Sequence, residues 1–300
     1  MRPISFRKFL DAILHVYSGP GHAPRTLTKM RRVLFLVADL GVKSTAGLTT
    51  ELAARFVAER ARIVNTNTIR GDLSYLNAAC SFAVEEGWLD HPPRFKRVRP
   101  RPVRSKIPKC HSIEDVSRVL EYLGKRTMDW EGHRLYALAA SVAYTGLRRD
   151  EALTLRLDDL NLPASLLIVS DRHRRKTEKS AAVVPIPPEL GVILGDWLPR
   201  CGSEWLFPGV RRQGPWTGGK CGERACDRVR QAGQKVGVAG FTLLSLRHSF
   251  ATHARRQWGL SAIELADVLR HTSPATQQWY VHEARLEELV ASVSRVSYHV

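Results

Sequence analysis

The chain has 300 residues, 44% hydrophobic and 25% charged, a composition that argues against intrinsic disorder and leaves room for two ordinary domains. Its 46 Lys and Arg against 29 Asp and Glu give a formal charge of +17, which points to a polyanion such as a nucleic acid as partner; a basic protein without a specific polyanion is the plain alternative. Five cysteines, Cys80, Cys110, Cys201, Cys221 and Cys226, form no Cys-x-x-Cys pair with matching histidines, so neither a disulfide framework nor a zinc site is indicated and they read as reduced thiols. The opening stretch MRPISFRKFLDAIL lacks the apolar core of a secretory signal, and nothing later reaches the roughly 18 apolar residues that cross a bilayer, so a cytoplasmic protein with no membrane partner is expected.

Residues 5 to 92 read as short amphipathic helices, with apolar positions at helical spacing in TLTKMRRVLFLVADLG, TTELAARFVAERAR and TNTIRGDLSYLNAACSFAVEEGWL. Gly41 and Gly87 mark helix stops. Lys29, Arg31, Arg32, Arg62 and Arg70 lie among these positions, either as a basic binding face or as a solvated one. The next segment, RFKRVRPRPVRSKIPK over 94–109, is eight-sixteenths basic with three prolines and no acid, which excludes helix and favours extended chain. It suits a linker that crosses a nucleic-acid backbone through residues such as Arg97, Arg99 and Arg101, or a plain solvated linker. The domain boundary is placed near residue 105.

From Ser112 the helical pattern resumes with a capped start, SIEDVSRVLEYL, then the apolar helix RLYALAASVAYTGL and a short helix after Gly146. The segment SLLIVSDRHRRKTEKSAAVVPIP changes period, two β-branched runs flanking a basic turn, and reads as a hairpin with Lys176 at or near its tip. A less regular stretch rich in Gly and Trp follows. Residues 242–258 are again helical up to Gly259, Ser261 with Glu264 forms a capping box for SAIELADVLRH, and Ser273-Pro274 opens a third start that puts Tyr280 on or beside a short helix.

The elements TGLRRDEALTL, the hairpin Lys176, LSLRHSFATHA and LRHTSPATQQWY, taken together over residues 112 to 282, resemble the catalytic domain of the tyrosine recombinases, the phage integrase family. The N-terminal helices are similar, less specifically, to that family's core-binding domain. The resemblance implies a fold that is mainly α with a small antiparallel β-sheet in the C-terminal domain (α+β). A SAM-like helical DNA-binding domain is expected over 1–105, with its basic linker at 94–109, and a catalytic domain with a C-terminal tail helix over 106–300.

By the same resemblance Arg148 and Arg247, 99 residues apart, are the two catalytic arginines, and Glu151 is the supporting acid. Two guanidinium forks grip the non-bridging oxygens of one phosphate and stabilise a five-coordinate transition state, so no metal or other cofactor is expected. Lys176 takes the position of the lysine that protonates the departing 5′ oxygen, while Arg174, Arg175 and Lys179 in the same turn are alternatives as backbone contacts. His271 and, nine residues later, Tyr280 have the spacing of the family's last histidine and its nucleophile.

One position departs from the pattern. Where the family reads His-x-x-Arg up to the second arginine, this chain has Leu244-Ser245-Leu246-Arg247, and leucine can neither accept nor donate a proton. His248 is one residue on, about 100° around a helix, and reads as structural support. Past Tyr280, Leu286, Leu289, Val290 and Val293 form an apolar face that either packs on its own domain or docks on a neighbouring subunit, as family tails do.

The resemblance therefore implies a site-specific DNA recombinase or integrase acting through a 3′-phosphotyrosine intermediate. Its partner is double-stranded DNA, with a homotetramer on DNA joined through the tail, a monomer or weak oligomer when free, and a cytoplasmic, nucleoid-associated location. Two rivals stay open: a catalytically weakened DNA-binding protein of the same fold, suggested by Leu244, and a type IB topoisomerase-like enzyme.

Overall fold

The computed structural model describes residues 2–103, 109–169, 182–216 and 220–270. These fall into two compact units that divide between residues 103 and 109.

The first unit is helical: α1 (Phe6–Ser18), α2 (Pro24–Ala38), α3 (Thr50–Ala61), α4 (Thr66–Glu85) and the single turn α5 (Phe95–Val98). Short polar side chains set the starts. Ser5, Thr49 and Asn65 each accept a bond from the backbone N–H three residues on, at 3.3, 3.2 and 2.9 Å, which satisfies donors that a helix's first turn leaves open. The apolar faces of α1, α2 and α4 close over Phe9, Ile13, Met30, Leu34, Leu73 and Leu76, all essentially inaccessible to water.

Within this core sits one buried acid. Asp72 on α4 accepts from Nε and Nη2 of Arg60 on α3, at 3.1 and 3.0 Å, and is also bonded by Arg32 on α2. One carboxylate thus ties three helices, and its burial is tolerable because two guanidiniums surround it.

Helix was excluded for 94–109, yet α5 forms inside that segment. The first proline after Arg94 is Pro100, and outside a helix it restricts itself and its predecessor, Arg99; residues 95–98 are free to turn, and Phe95 buries its ring in the core. Beyond α5 the chain runs extended, as expected from its prolines, and it is bound along α4. Arg70 donates to the Pro100 carbonyl at 2.7 Å, Asn67 to the Val103 carbonyl at 3.1 Å, and Arg99 to Ser74 Oγ at 2.6 Å.

The second unit is built around α7 (Trp130–Thr145), preceded by α6 (Ile113–Gly124) and followed by the short α8 (Arg149–Leu153). A three-stranded antiparallel sheet comes next: β1 (Leu160–Asn161), β2 (Leu166–Val169) and β3 (Ala182–Pro185), in the order β1-β2-β3. The hairpin expectation for β2 and β3 holds, with Leu167 opposite Val184; β1 is too short to leave a period-2 signal. Leu167, Val169 and Val184 face the core while Ile168 and Val183 face outward, the alternation of a sheet covered on one side.

The unit is completed by α9 (Pro188–Cys201), α10 (Lys220–Lys235), α11 (Leu243–Arg256) and α12 (Ala262–Leu269). The first two lie where the sequence reads as irregular. α9 contains Gly191, Gly195 and Pro199, weak helix formers, and is held by burying Leu190, Leu194 and Trp197 against α7. Ala137, Ala139, Ala140 and Ala143 keep α7 slim, so α9 and α11 pack close to it. Among the described residues no helix is long and apolar enough to cross a membrane.

A polar network fastens the start of this unit to α11. His111 donates its backbone N–H to Ser249 Oγ at 2.9 Å and its ring Nε2 lies 3.1 Å from Ser245 Oγ, while His253 Nε2 lies 2.9 Å from the His111 carbonyl oxygen. Burial pushes the pKa of both imidazoles down, and the Lys109 charge adds to this at His111.

Two outcomes are expected. Asp72→Asn leaves the buried Arg60 guanidinium without its counter-charge and costs about 3 kcal/mol in a denaturant titration, whereas Glu59→Gln, which breaks the exposed pair with Arg62, costs under about 1 kcal/mol. Because the folded state holds His111 and His253 neutral, the unfolded chain binds more protons once the pH falls below the free histidine value near ~6.5. Stability is full above that value and declines below it, and the decline is shallower in His253→Gln.

Candidate active site

Helix α7 ends because Gly146 takes a left-handed conformation, φ 61°, and caps it by donating to the Val142 carbonyl. No other residue fits. A Cβ there would lie 2.5 Å from Phe250 Cδ1 and 2.7 Å from Leu269 Cδ2. The turn delivers Leu147 into the core and places Arg148 at the N-cap of α8.

Arg148 is held from three directions. Its backbone N–H donates to Glu151 Oε2 at 2.7 Å, its Nη1 to Glu151 Oε1 at 2.7 Å, and its Nη2 to the Arg270 carbonyl oxygen at 2.9 Å. The side chain stays 28% exposed, so part of the fork faces solvent.

Arg247 comes from α11, whose start is fixed by a capping box in which Thr242 and Ser245 exchange backbone-to-hydroxyl bonds at 3.0 and 2.8 Å. Only 5% exposed, it donates from Nη2 to the Leu269 carbonyl oxygen at 2.7 Å and from Nη1 to the Gly146 carbonyl oxygen. The two guanidiniums that lie 99 residues apart in the sequence thus anchor to consecutive peptide carbonyls, those of Leu269 and Arg270, at the end of α12.

A third arginine, not singled out by the sequence reading, completes the group. Arg270 caps α12 in a left-handed conformation, φ 54°, and donates from Nη2 to Glu151 Oε2 at 2.6 Å. Burial of Glu151 acts to raise its pKa, but the charge and hydrogen bond of Arg270, together with the two bonds from Arg148, outweigh this and hold it down at about 2. Burial pulls the Arg270 pKa down, as does the neighbouring Arg148, against the opposing pull of Glu151. In the sequence Arg270 is one basic residue among many; only its backbone angle and its partner distinguish it.

Leu244 stands on the first turn of α11, 63% exposed, and contributes no proton-transfer group to this face. His248 is half-buried, and burial followed by the adjacent Arg247 charge pushes its pKa down, so it is a neutral ring near neutral pH. Lys176, Arg174, Arg175, His271 and Tyr280 lie outside the described residues, as does the apolar tail after Tyr280.

In the first unit Lys29 is exposed on α2 with its ammonium 6.0 Å from the Tyr75 ring centroid, and Arg97 and Arg101 are exposed. Arg70 and Arg99 are partly engaged in binding the extended segment to α4.

Residues 113–287 match the phage integrase family, so the chain belongs to that family, the tyrosine recombinases. Over 296 residues it is 28% identical to tyrosine recombinase XerC of Pseudomonas fluorescens, covering 91% of each chain. It is 27% identical to a Sinorhizobium fredii protein named as an integrase/recombinase, over 81% of this chain but only 57% of that protein's length. Its fold is shared with the Tn1549 transposon integrase, solved in complex with a circular intermediate DNA, at a TM-score of 0.73 and 16% identity over 96% of this chain and 99% of that one.

Gly146→Ala is expected to cost about 2–4 kcal/mol in chemical denaturation, from the left-handed strain and the overlap with Phe250 and Leu269. Gly191→Ala on α9, where a Cβ meets nothing within 4 Å, is the control and should be neutral or slightly stabilising.

Proposed function

We propose that this protein is a site-specific DNA recombinase that cuts and rejoins duplex DNA through a 3′-phosphotyrosine link to Tyr280. The observation that carries the reading is the anchoring of Arg148 and Arg247 to consecutive carbonyls directly before His271, inside a family match that runs on past Tyr280. Two guanidiniums fixed by backbone oxygens form a cationic seat for one phosphate, preorganised before substrate arrives.

In the reaction, Tyr280 Oη attacks the phosphorus and gives its proton to His271 or a phosphate oxygen. The bond from phosphorus to the 5′ oxygen breaks, and Lys176 protonates that oxygen. A partner strand's 5′ hydroxyl then attacks the phosphotyrosine and releases Tyr280. Phosphodiester energy is retained in the tyrosyl link, so no nucleotide is consumed.

The basic N-terminal unit, with Lys29, Arg97 and Arg101 exposed, supplies backbone contacts, and the two units act as a clamp on the duplex. The tail beyond Tyr280 couples protomers into a tetramer on DNA, and the enzyme works in the cytoplasm at the nucleoid. The non-titratable, exposed Leu244 favours one second reading: a protein that keeps the DNA clamp but cuts slowly or not at all.

A nicked suicide substrate carrying the target site distinguishes these. A covalent protein–DNA adduct is expected from the wild type, none from Tyr280→Phe, and a faster one from Leu244→His. An adduct from Leu244→His alone would establish the second reading, and adduct from Tyr280→Phe would sink the assignment of the nucleophile.

A further inference from the structure

We propose that Arg270 is a positioning residue of this active site, one that fixes Glu151 and thereby both aims Arg148 and preserves its positive charge for the phosphate. The inference rests on the recombinase reading for its effect on cutting, but not for its effect on Glu151.

Three observations carry it. First, Arg270 sits at φ 54°, a left-handed angle that strains a non-glycine residue and that glycine adopts freely. The side chain must return something for that strain. Second, this long cationic side chain is only 9% exposed and lies folded back onto Glu151 at 2.6 Å rather than reaching into solvent. Third, Glu151 is shared: its Oε1 takes Arg148 Nη1, while its Oε2 takes both the Arg148 backbone N–H and Arg270 Nη2.

The charge count gives the chemical consequence. A lone Glu151 beside Arg148 would form a neutral pair and cancel the attraction of Arg148 for a phosphate. With Arg270 on the other side, two cations share one carboxylate and the trio keeps one positive charge. The same contact keeps Glu151 ionised, so it goes on accepting from Arg148 as the pH falls. The backbone carbonyl of Arg270, which accepts from Arg148 Nη2, is independent of the side chain, so the side chain's part can be removed alone.

The test is Arg270→Gly, which keeps that carbonyl and suits the backbone angle, with Arg270→Lys and Glu151→Gln alongside, in the full-length protein. Adduct formation on the pre-bound nicked substrate should slow about tenfold or more in Arg270→Gly while the dissociation constant for DNA changes less than about twofold. Arg270→Lys should recover part of the rate, and adding Arg270→Gly to Glu151→Gln should slow it little further. The pH profile separates positioning from mere support of the fold. Glu151, freed of Arg270 but still buried, takes a proton at a higher pH than in the wild type, so the variant loses activity on acidification through the carboxylate range while the wild type does not.

A wild-type rate and profile in Arg270→Gly would overturn the inference, as would an undiminished effect in the Glu151→Gln background. Should the wild type form no adduct, the recombinase reading fails and the inference is judged by carbon-detected titration of the Glu151 carboxyl. That signal should stay ionised to below about pH 4 in the wild type and titrate above it in Arg270→Gly; identical titrations would refute the role of Arg270.

Discussion

The C-terminal unit turns on Arg247, a guanidinium withdrawn from water and bonded to two backbone oxygens, those of Gly146 and Leu269. A buried cation is tolerable only among hydrogen-bond acceptors, and here Nη1 and Nη2 each donate to a carbonyl, the two carbonyls coming from the ends of two different helices. The one interaction therefore joins α7, α11 and α12 at a point. It also explains the tightness around Gly146: the helix must end there, and its carbonyl must turn back toward α11, in a space that Phe250 and Leu269 already fill.

From that point the rest of the site follows by adjacency. Gly146 is two residues before Arg148, and Leu269 is two before His271, so fixing Arg247 to both carbonyls brings the first arginine and the segment leading to the histidine to one place. Arg148 then takes the next carbonyl along, that of Arg270, and the acid it shares with Arg270 offsets only one of the two positive charges. Leu244, one turn before Arg247 on the same helix, presents an exposed apolar side chain. It leaves the arginine scaffold intact because that scaffold is built on backbone oxygens and on Glu151, not on the residue at position 244.

The N-terminal unit uses a parallel device with the opposite sign. Asp72 is the buried charge, and arginines from α2 and α3 close over it. Along the same helix α4, Asn67, Arg70 and Ser74 bind the extended chain that leaves α5, so the basic segment after residue 94 begins as part of this unit rather than as a free linker. Its prolines dictate an extended path, but they leave the helix turn ahead of them free, because that turn ends at Val98, before Pro100 and the residue it restricts.

Much was legible in the sequence because it depends on local chemistry. Capping residues and helical spacing disclosed α6, α7, α11 and α12, two β-branched runs flanking a basic turn disclosed β2 and β3, and the spaced Arg148, Glu151, Lys176, Arg247, His271 and Tyr280 disclosed the family. Helices α9 and α10 escaped, since glycine, proline and polar residues weaken their local signal and burial against α7 stabilises α9 instead. Arg270 escaped for the same reason in sharper form. Nothing in its neighbours distinguishes it from the chain's other cations; its bond to Glu151 is made to a residue 119 positions away. The identity of the charges was a property of the chain, whereas which acid each charge shares, and which carbonyl each guanidinium holds, was decided by tertiary packing that brings distant peptide groups within hydrogen-bonding distance.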